Sequence, residues 1–367
     1  MNKIFKVIWS KSKQCYVVVS EMAKNKTGKK KIVVASILAA LAIQTAGVID
    51  VAAAVGDQPS AAIANGSVTS GKTNGLAIGN FASSGSNQSI AIGYYSVATA
   101  TEADPALPAT AVGAGANATG QSTVALGLLA QATSGSTTAL GAKSVASEDA
   151  AVAVGYGTKA TGNYASALGA DATASNNDAT AFGHGTVASG GSSTALGSRA
   201  KAGGTAGVGI GMLANATNQY GVAIGGESSS SADNSIAIGR KSSVTGESGI
   251  AIGAFTTSKG ANGVAVGTNG TKSDLGGVAV GQAAQSIAFN SVATGMNVTA
   301  KGANSVALGA SATANDDGTI AIGSYGSTPT KATGNRALAI GSATTANGLE
   351  SIAIGSRVNS TSQHSIA

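Results

Sequence analysis

From residue 79 to residue 355 a glycine recurs at a nearly fixed interval, which limits this stretch to a stack of near-identical coils. Each glycine closes a unit of apolar residue, alanine, apolar residue and glycine, as in Leu76-Ala77-Ile78-Gly79 and Ile90-Ala91-Ile92-Gly93. Seventeen of the nineteen intervals between successive motif glycines are fourteen residues long. The other two are 20 residues (Gly93 to Gly113) and 18 residues (Gly323 to Gly341). An ordinary globular core needs varied spacing between its elements, so identical units over this length predict a solenoid.

Counting from each glycine as position zero, positions 11 and 13 are mostly Ile, Val or Leu, and position 12 is small, the period-two signature of a strand. Positions 3 and 5 give a second, weaker alternation of Ala, Ser and Thr, as in Ala130/Ala132, Ala172/Ala174 and Ala312/Ala314. Position 7 is often a turn former, such as Gly120, Gly162, Gly302, Asn176 or Asp316. The motif glycines, among them Gly79, Gly93, Gly127, Gly141, Gly155, Gly239 and Gly253, fit corners that need positive φ or close backbone approach. Two short strands and two turns per coil predict an all-β solenoid whose rungs pair as parallel strands, about 4.8 Å per rung. The prolines agree. Pro105, Pro108 and Pro329 fall in the two long intervals and Pro59 precedes the repeats, so none removes a ladder hydrogen bond from a regular rung.

Position 12 is alanine in nineteen of twenty copies and Gly209 in the other. A strand face this uniform suggests packing against something equally regular. One arrangement places positions 11 and 13 inside the roll, opposite the small residues at 3 and 5, and leaves alanines such as Ala237, Ala251 and Ala265 to line a contact between chains. The inverse orientation is the alternative. Either way a rung this thin buries little apolar surface, and oligomerisation is the natural remedy.

Composition excludes several function classes. The formal net charge of +6 comes from the N-terminus. From Val55 onward there are 13 basic and 14 acidic residues, so no basic stripe is expected to remain that would attract nucleic acid. Cys15 is the only cysteine, so the repeats have no disulfide and no thiolate metal site. The chain is read as a non-enzyme without cofactor, metal or catalytic residues. The strongest enzymatic alternative is a hexapeptide-repeat acyltransferase, whose solenoid has a different period and whose chemistry needs a histidine base. Only His184 and His364 occur here, and His184 follows a corner glycine as a turn residue would. Asp316-Asp317-Gly318 is the nearest approach to a calcium-binding roll and does not recur. No helix or downstream acidic residue accompanies the Gly-x-Gly stretches, as dinucleotide binding would require. An ice-binding ladder is disfavoured because position 4 varies among Gln, Val, Lys, Thr and Asn.

Ahead of the repeats, Lys29-Lys30-Lys31 is followed by the uncharged stretch 32–49 and then by Val51-Ala52-Ala53-Ala54. Basic, apolar and small-x-small regions in that order are a secretory signal, with cleavage expected after Ala52-x-Ala54 to leave Val55 first. These eighteen mostly apolar residues would just span a bilayer, but the small-residue ending favours cleavage over a membrane anchor. The organisation expected is a signal region at 1–54, a lead-in at 55–75 and repeats at 76–367.

Two stretches resemble known families. MNKIFKVIW and VVVSEMAK, within residues 1–24, resemble the extended signal-peptide region of large bacterial autotransporters. Ser-Ile-Ala-Ile-Gly-x-x-Ser, as at residues 89–96 and 235–242, resembles the head repeat of trimeric autotransporter adhesins of the YadA type. The resemblance implies a left-handed parallel β-roll, a homotrimer, type V secretion and display on a Gram-negative outer membrane. It also implies attachment to host cells or to matrix proteins such as collagen, fibronectin or laminin, with autoagglutination, biofilm formation and virulence as associated roles. Family members continue into a stalk and a C-terminal barrel anchor; neither pattern is found here, so the chain reads as a fragment whose membrane attachment lies elsewhere.

For ligand contact the irregular places stand out: the loop at 98–109 with Glu102 and Asp104, the neighbouring Tyr94 and Tyr95, and the loop at 327–331. The competing reading is a structural spacer or filament with no specific ligand.

Overall fold

The computed structural model describes residues 74–100, 107–323 and 328–367 in full, and the backbone of the strands Phe5–Ser10, Cys15–Ser20, Ala61–Ile63 and Val68–Thr69. The chain divides into two units, Met1–Val48 and Ile49–Ala367. In the first, Phe5–Ser10 and Cys15–Ser20 form an antiparallel hairpin in which Trp9 stands opposite Tyr16.

The second unit is a parallel β-solenoid. Three-residue strands, one per coil, form one ladder from Ala61–Ile63 to Ile352–Ile354, and two-residue strands form a second from Val68–Thr69 to Asn359–Ser360. Each strand pairs with its equivalent one coil away, so Val124 stands beside Thr138 and Thr110, and Ala132 beside Ala146 and Ala118. Equivalent strand residues therefore stack into columns along both ladders.

The alternation within each strand sets inside and outside. In the regular coils the position-12 alanines are buried, as are the residues at positions 3 and 5, apart from the partly buried Val358, and the Ser, Thr, Ala or Gly at position 10. The interior is lined by alanines and small hydroxyl residues, with Val244 and Val298 its largest buried side chains. Buried hydroxyls would be costly if unpaired. Many turn back onto a corner carbonyl: Thr123 Oγ1 donates to Gly120 O at 2.8 Å, Ser144 Oγ to Gly141 O at 2.8 Å, and Ser235 Oγ to Ala232 O at 2.6 Å.

This overturns the placement of positions 11 and 13 inside the roll. They face outward and are partly exposed: Leu126 is 41%, Phe182 49% and Ile252 39% accessible. Ala237, Ala251 and Ala265 have no accessible surface, so they contact only their own chain and cannot line a contact between chains. The reason is volume. With alanine-sized groups on both inner faces the two ladders close on each other, and a layer of Ile and Val has no room between them.

Both turns use the left-handed backbone region at a non-glycine residue. At positions 2 and 9, φ lies between 51° and 60°, as at Leu129 and Ser136. Such conformations cost about 1–2 kcal/mol each, and a ladder bond accompanies them here. Leu129 N donates to Ala114 O at 2.9 Å, and Ser136 N to Gln121 O at 2.7 Å, each one coil back. The corners are thus hydrogen-bonded between coils like the strands.

Candidate interaction surfaces

Four lengthwise surfaces follow from this geometry: the outer faces of the two ladders and the two corners.

The corner at positions 0 to 2 starts with the motif glycine. Gly79, Gly93, Gly127, Gly141, Gly155, Gly239 and Gly253 all have φ between 119° and 139°, a region reserved for glycine. The glycines expected at position 7, such as Gly302, do not adopt positive φ; that role falls at position 9. Gly302 instead meets close approach, since a Cβ there would lie 1.9 Å from Asp316 O.

Tyr94 and Tyr95 sit at this corner and are exposed. Their rings meet edge to face at 4.4 Å, and Phe81, one coil back, stacks on Tyr95 at 4.8 Å. Desolvation, then the charge and hydrogen bonding of Tyr95, hold the Tyr94 hydroxyl above its ordinary pKa. Phe81 was missed in the sequence because its partnership depends on column stacking: it occupies position 2 one coil before Tyr95.

Of the loop at 98–109, Ala98 is paired within its ladder and Ala109 is fully buried. The insertion therefore replaces the turn between Thr99 and Ala109. Glu102 and Asp104 lie outside the described residues, as do the cleavage residues Ala52, Ala54 and Val55. The loop expected at 327–331 is also narrower at its far end. Thr330 is buried and Lys331 pairs with Thr313 and Thr345.

These boundaries give a deletion with a defined outcome. Removing residues 103–108 restores a fourteen-residue coil with Glu102 at position 9, and thermal unfolding should match or slightly exceed the parent, since loop length costs little. Removing residues 100–105 restores the same length but puts Pro108 at position 9, where φ near +55° is needed and proline holds about −65°. That variant should melt lower. Equal melting of the two would refute the assignment of the loop to this turn.

At the other corner, carboxylates and amides brace neighbouring turns. Asp233 Oδ1 accepts from Gln219 N at 3.1 Å, and Asp317 Oδ1 from Ala303 N at 2.9 Å. Asp317 is thus a turn brace. A polar hollow of about 510 Å³ opens at this corner, lined by Gln121, Ser134, Ser136, Asp149 and Tyr164 among others. Among the described residues no group of three or more His, Cys, Asp or Glu side chains could hold a metal ion. His184 is exposed at a turn, its carbonyl accepting from Arg199 N at 2.9 Å, and His364 Nδ1 lies 3.0 Å from Glu350 Oε2.

The outer face of the three-residue ladder is a largely apolar stripe of positions 11 and 13, interrupted by Thr110, Thr138, Ser166, Thr180 and Thr194 at position 11 and by Thr294 at position 13. Where position 11 is Ser166 or Thr180, position 13 is Leu168 or Phe182, and a shallow hollow of about 240 Å³ opens between these rungs, lined by these four residues with Val152 and Val154. The outer face of the two-residue ladder, at positions 4 and 6, is polar instead.

Residues 1–48 match the family described as Extended Signal Peptide of Type V secretion system. Nine stretches, 70–101, 108–130, 132–158, 160–186, 188–213, 216–242, 245–269, 300–325 and 332–357, match the YadA head domain repeat. The unmatched interval 270–299 begins at Gly270, which widens one turn: Thr257 pairs with Lys272 fifteen residues on, and Lys272 with Gln285 thirteen on. No curated protein matches the chain. A leader of this kind followed by YadA head repeats over most of the sequence makes the chain a member of the trimeric autotransporter adhesins, exported to the surface of a Gram-negative bacterium.

Proposed function

We propose that three copies of this chain associate through the outer face of the three-residue ladder, and that the trimeric head attaches the bacterium to host matrix or to other cells. The observation carrying this reading is the apolar stripe itself. It runs along the solenoid as two columns dominated by Ile, Val and Leu, interrupted by hydroxyl residues mainly between Thr110 and Thr194, with single members such as Val124, Leu140 and Ile252 still 38–40% accessible. A stripe this long is far larger than the scattered apolar residues of an ordinary surface. Covering the remaining exposure of one such side chain stabilises by about 1 kcal/mol.

Light scattering of the exported chain should give three times the monomer mass. Replacing Ile236, Ile250 and Val264 with aspartate should produce monomers with unchanged far-ultraviolet circular dichroism. A monodisperse monomeric parent would sink the association. Adhesion is tested separately, by saturable binding of the parent to immobilised collagen, fibronectin and laminin. Absence of binding to these and to host cells would favour the spacer reading.

The mature chain is proposed to begin at Val55. N-terminal sequencing of the surface form checks this, and an intact Met1 would refute it.

A further inference from the structure

The near-zero net charge of the repeats conceals a strong segregation. The outward columns of the two-residue ladder, positions 4 and 6 in regular coils, carry six exposed lysines, Lys159, Lys201, Lys259, Lys272, Lys301 and Lys331, with Lys272 and Lys331 brought into register by the widened turn and the second insertion. Asp274 is the one carboxylate of the described residues in these columns, and its Oδ1 is engaged by Leu275 N at 2.9 Å. The other described carboxylates stand at the corners.

The corner cations differ in a second way. Lys241 pairs with Glu227 at 3.4 Å, Arg336 pairs with Glu350, Arg240 lies over the Phe255 ring at 4.4 Å, and Lys143 lies over the Tyr156 ring at 5.6 Å. Among the described residues, none of the six face lysines has an ion-pair or ring partner. Four of them, Lys259, Lys272, Lys301 and Lys331, fall within five coil steps, about 24 Å of axial length. Between them the columns carry mainly hydroxyl and amide groups, such as Thr299 and Thr313.

We propose that this face binds a linear anionic polysaccharide, sulfated or carboxylated, laid along the solenoid axis. Unpaired ammonium groups supply point charges for the acidic substituents, and the hydroxyl and amide columns supply partners for sugar hydroxyls. A periodic ligand suits a surface whose side chains recur at one repeat distance. The columns hold no aromatic residue, which removes the stacking platform that single-stranded nucleic acid needs. The face lies on the opposite side of the roll from the apolar stripe, so association through the stripe leaves it open. The proposal deepens the adhesive reading by naming a ligand class. Its test uses a glycan free of matrix protein, so that it and the matrix-binding assay fail separately.

The exported chain should bind immobilised heparin and elute with added salt, because exposed charge pairs are screened. It should not bind neutral dextran. Replacing Lys259, Lys272, Lys301 and Lys331 with glutamine should weaken heparin binding by about tenfold, as four weak exposed contacts multiply. A variant with Lys143, Arg240, Lys241 and Arg336 changed to glutamine loses the same charge at the corners and should retain most of the binding. Arginine at the four face positions should restore it, and circular dichroism should be unchanged throughout. The proposal is overturned if the parent does not bind heparin, if the face and corner variants lose binding equally, or if duplex DNA binds as tightly as heparin.

Discussion

Replacing Gly253 with alanine is expected to cost about 3 kcal/mol or more, enough to open the neighbouring coils. Its φ of +119° is closed to residues with a Cβ, and a Cβ built there would lie 1.7 Å from Gly267 O in the next coil. Relief requires the two coils to separate, which breaks ladder bonds such as Gly267 N to Ile252 O at 2.9 Å. Five residues earlier, Ser248 has φ of +54° and tolerates its side chain. Ser248→Gly relieves that strain but adds freedom to the unfolded chain, so its effect should stay within about 1 kcal/mol. Thermal melts of the two variants compare a corner that needs glycine with one that merely accepts it. Equal melting temperatures would show that coil spacing is not set by the glycine column.

The second large effect separates the inside of a strand from its outside across three adjacent coils. Leucine at Ala237, Ala251 and Ala265 forces bulk into a closed interior and should cost about 1–3 kcal/mol per site. The strain falls on consecutive coils, so the losses should compound, and circular dichroism should report unfolding even in dilute monomer. Aspartate at Ile236, Ile250 and Val264, each one residue earlier, should leave the ladders intact and abolish association. Had the alanines faced a neighbouring chain, the outcomes would exchange. Loss of trimer with an intact fold in the leucine variant would overturn the orientation seen here.

The period, the two strands per coil and the location of both insertions were legible because each leaves a mark on spacing: a glycine, an alternation, a proline. The sidedness of the three-residue strand was not. Ile236-Ala237-Ile238 is apolar at all three positions, so alternation reveals two faces without saying which turns inward. Burying the larger residues was a sound rule that failed because the opposing strand also offers only small groups, and alanine fills that gap alone. The coil at Ala61–Ile63 was hidden because Ala64 stands where later copies have glycine and its partner Leu76 lies fifteen residues on. The widened turn at Gly270 was hidden for the opposite reason: the shortened turn that follows keeps Gly267 and Gly281 fourteen residues apart. Of the candidate sites, Tyr94 and Tyr95 were visible as neighbours in sequence, whereas the lysine face required knowing which columns point outward.

Strand pairing throughout the solenoid joins each coil only to the coil before and the coil after, in a register that repeats. An in-frame duplication of one coil's coding sequence therefore inserts a unit whose surfaces already match both neighbours, and a loss removes one as cleanly. Reach from the cell can be adjusted in increments of about 4.8 Å without redesigning any contact. Coil number is thereby a heritable length that one in-frame recombination can change, independently of the side chains on the outer faces.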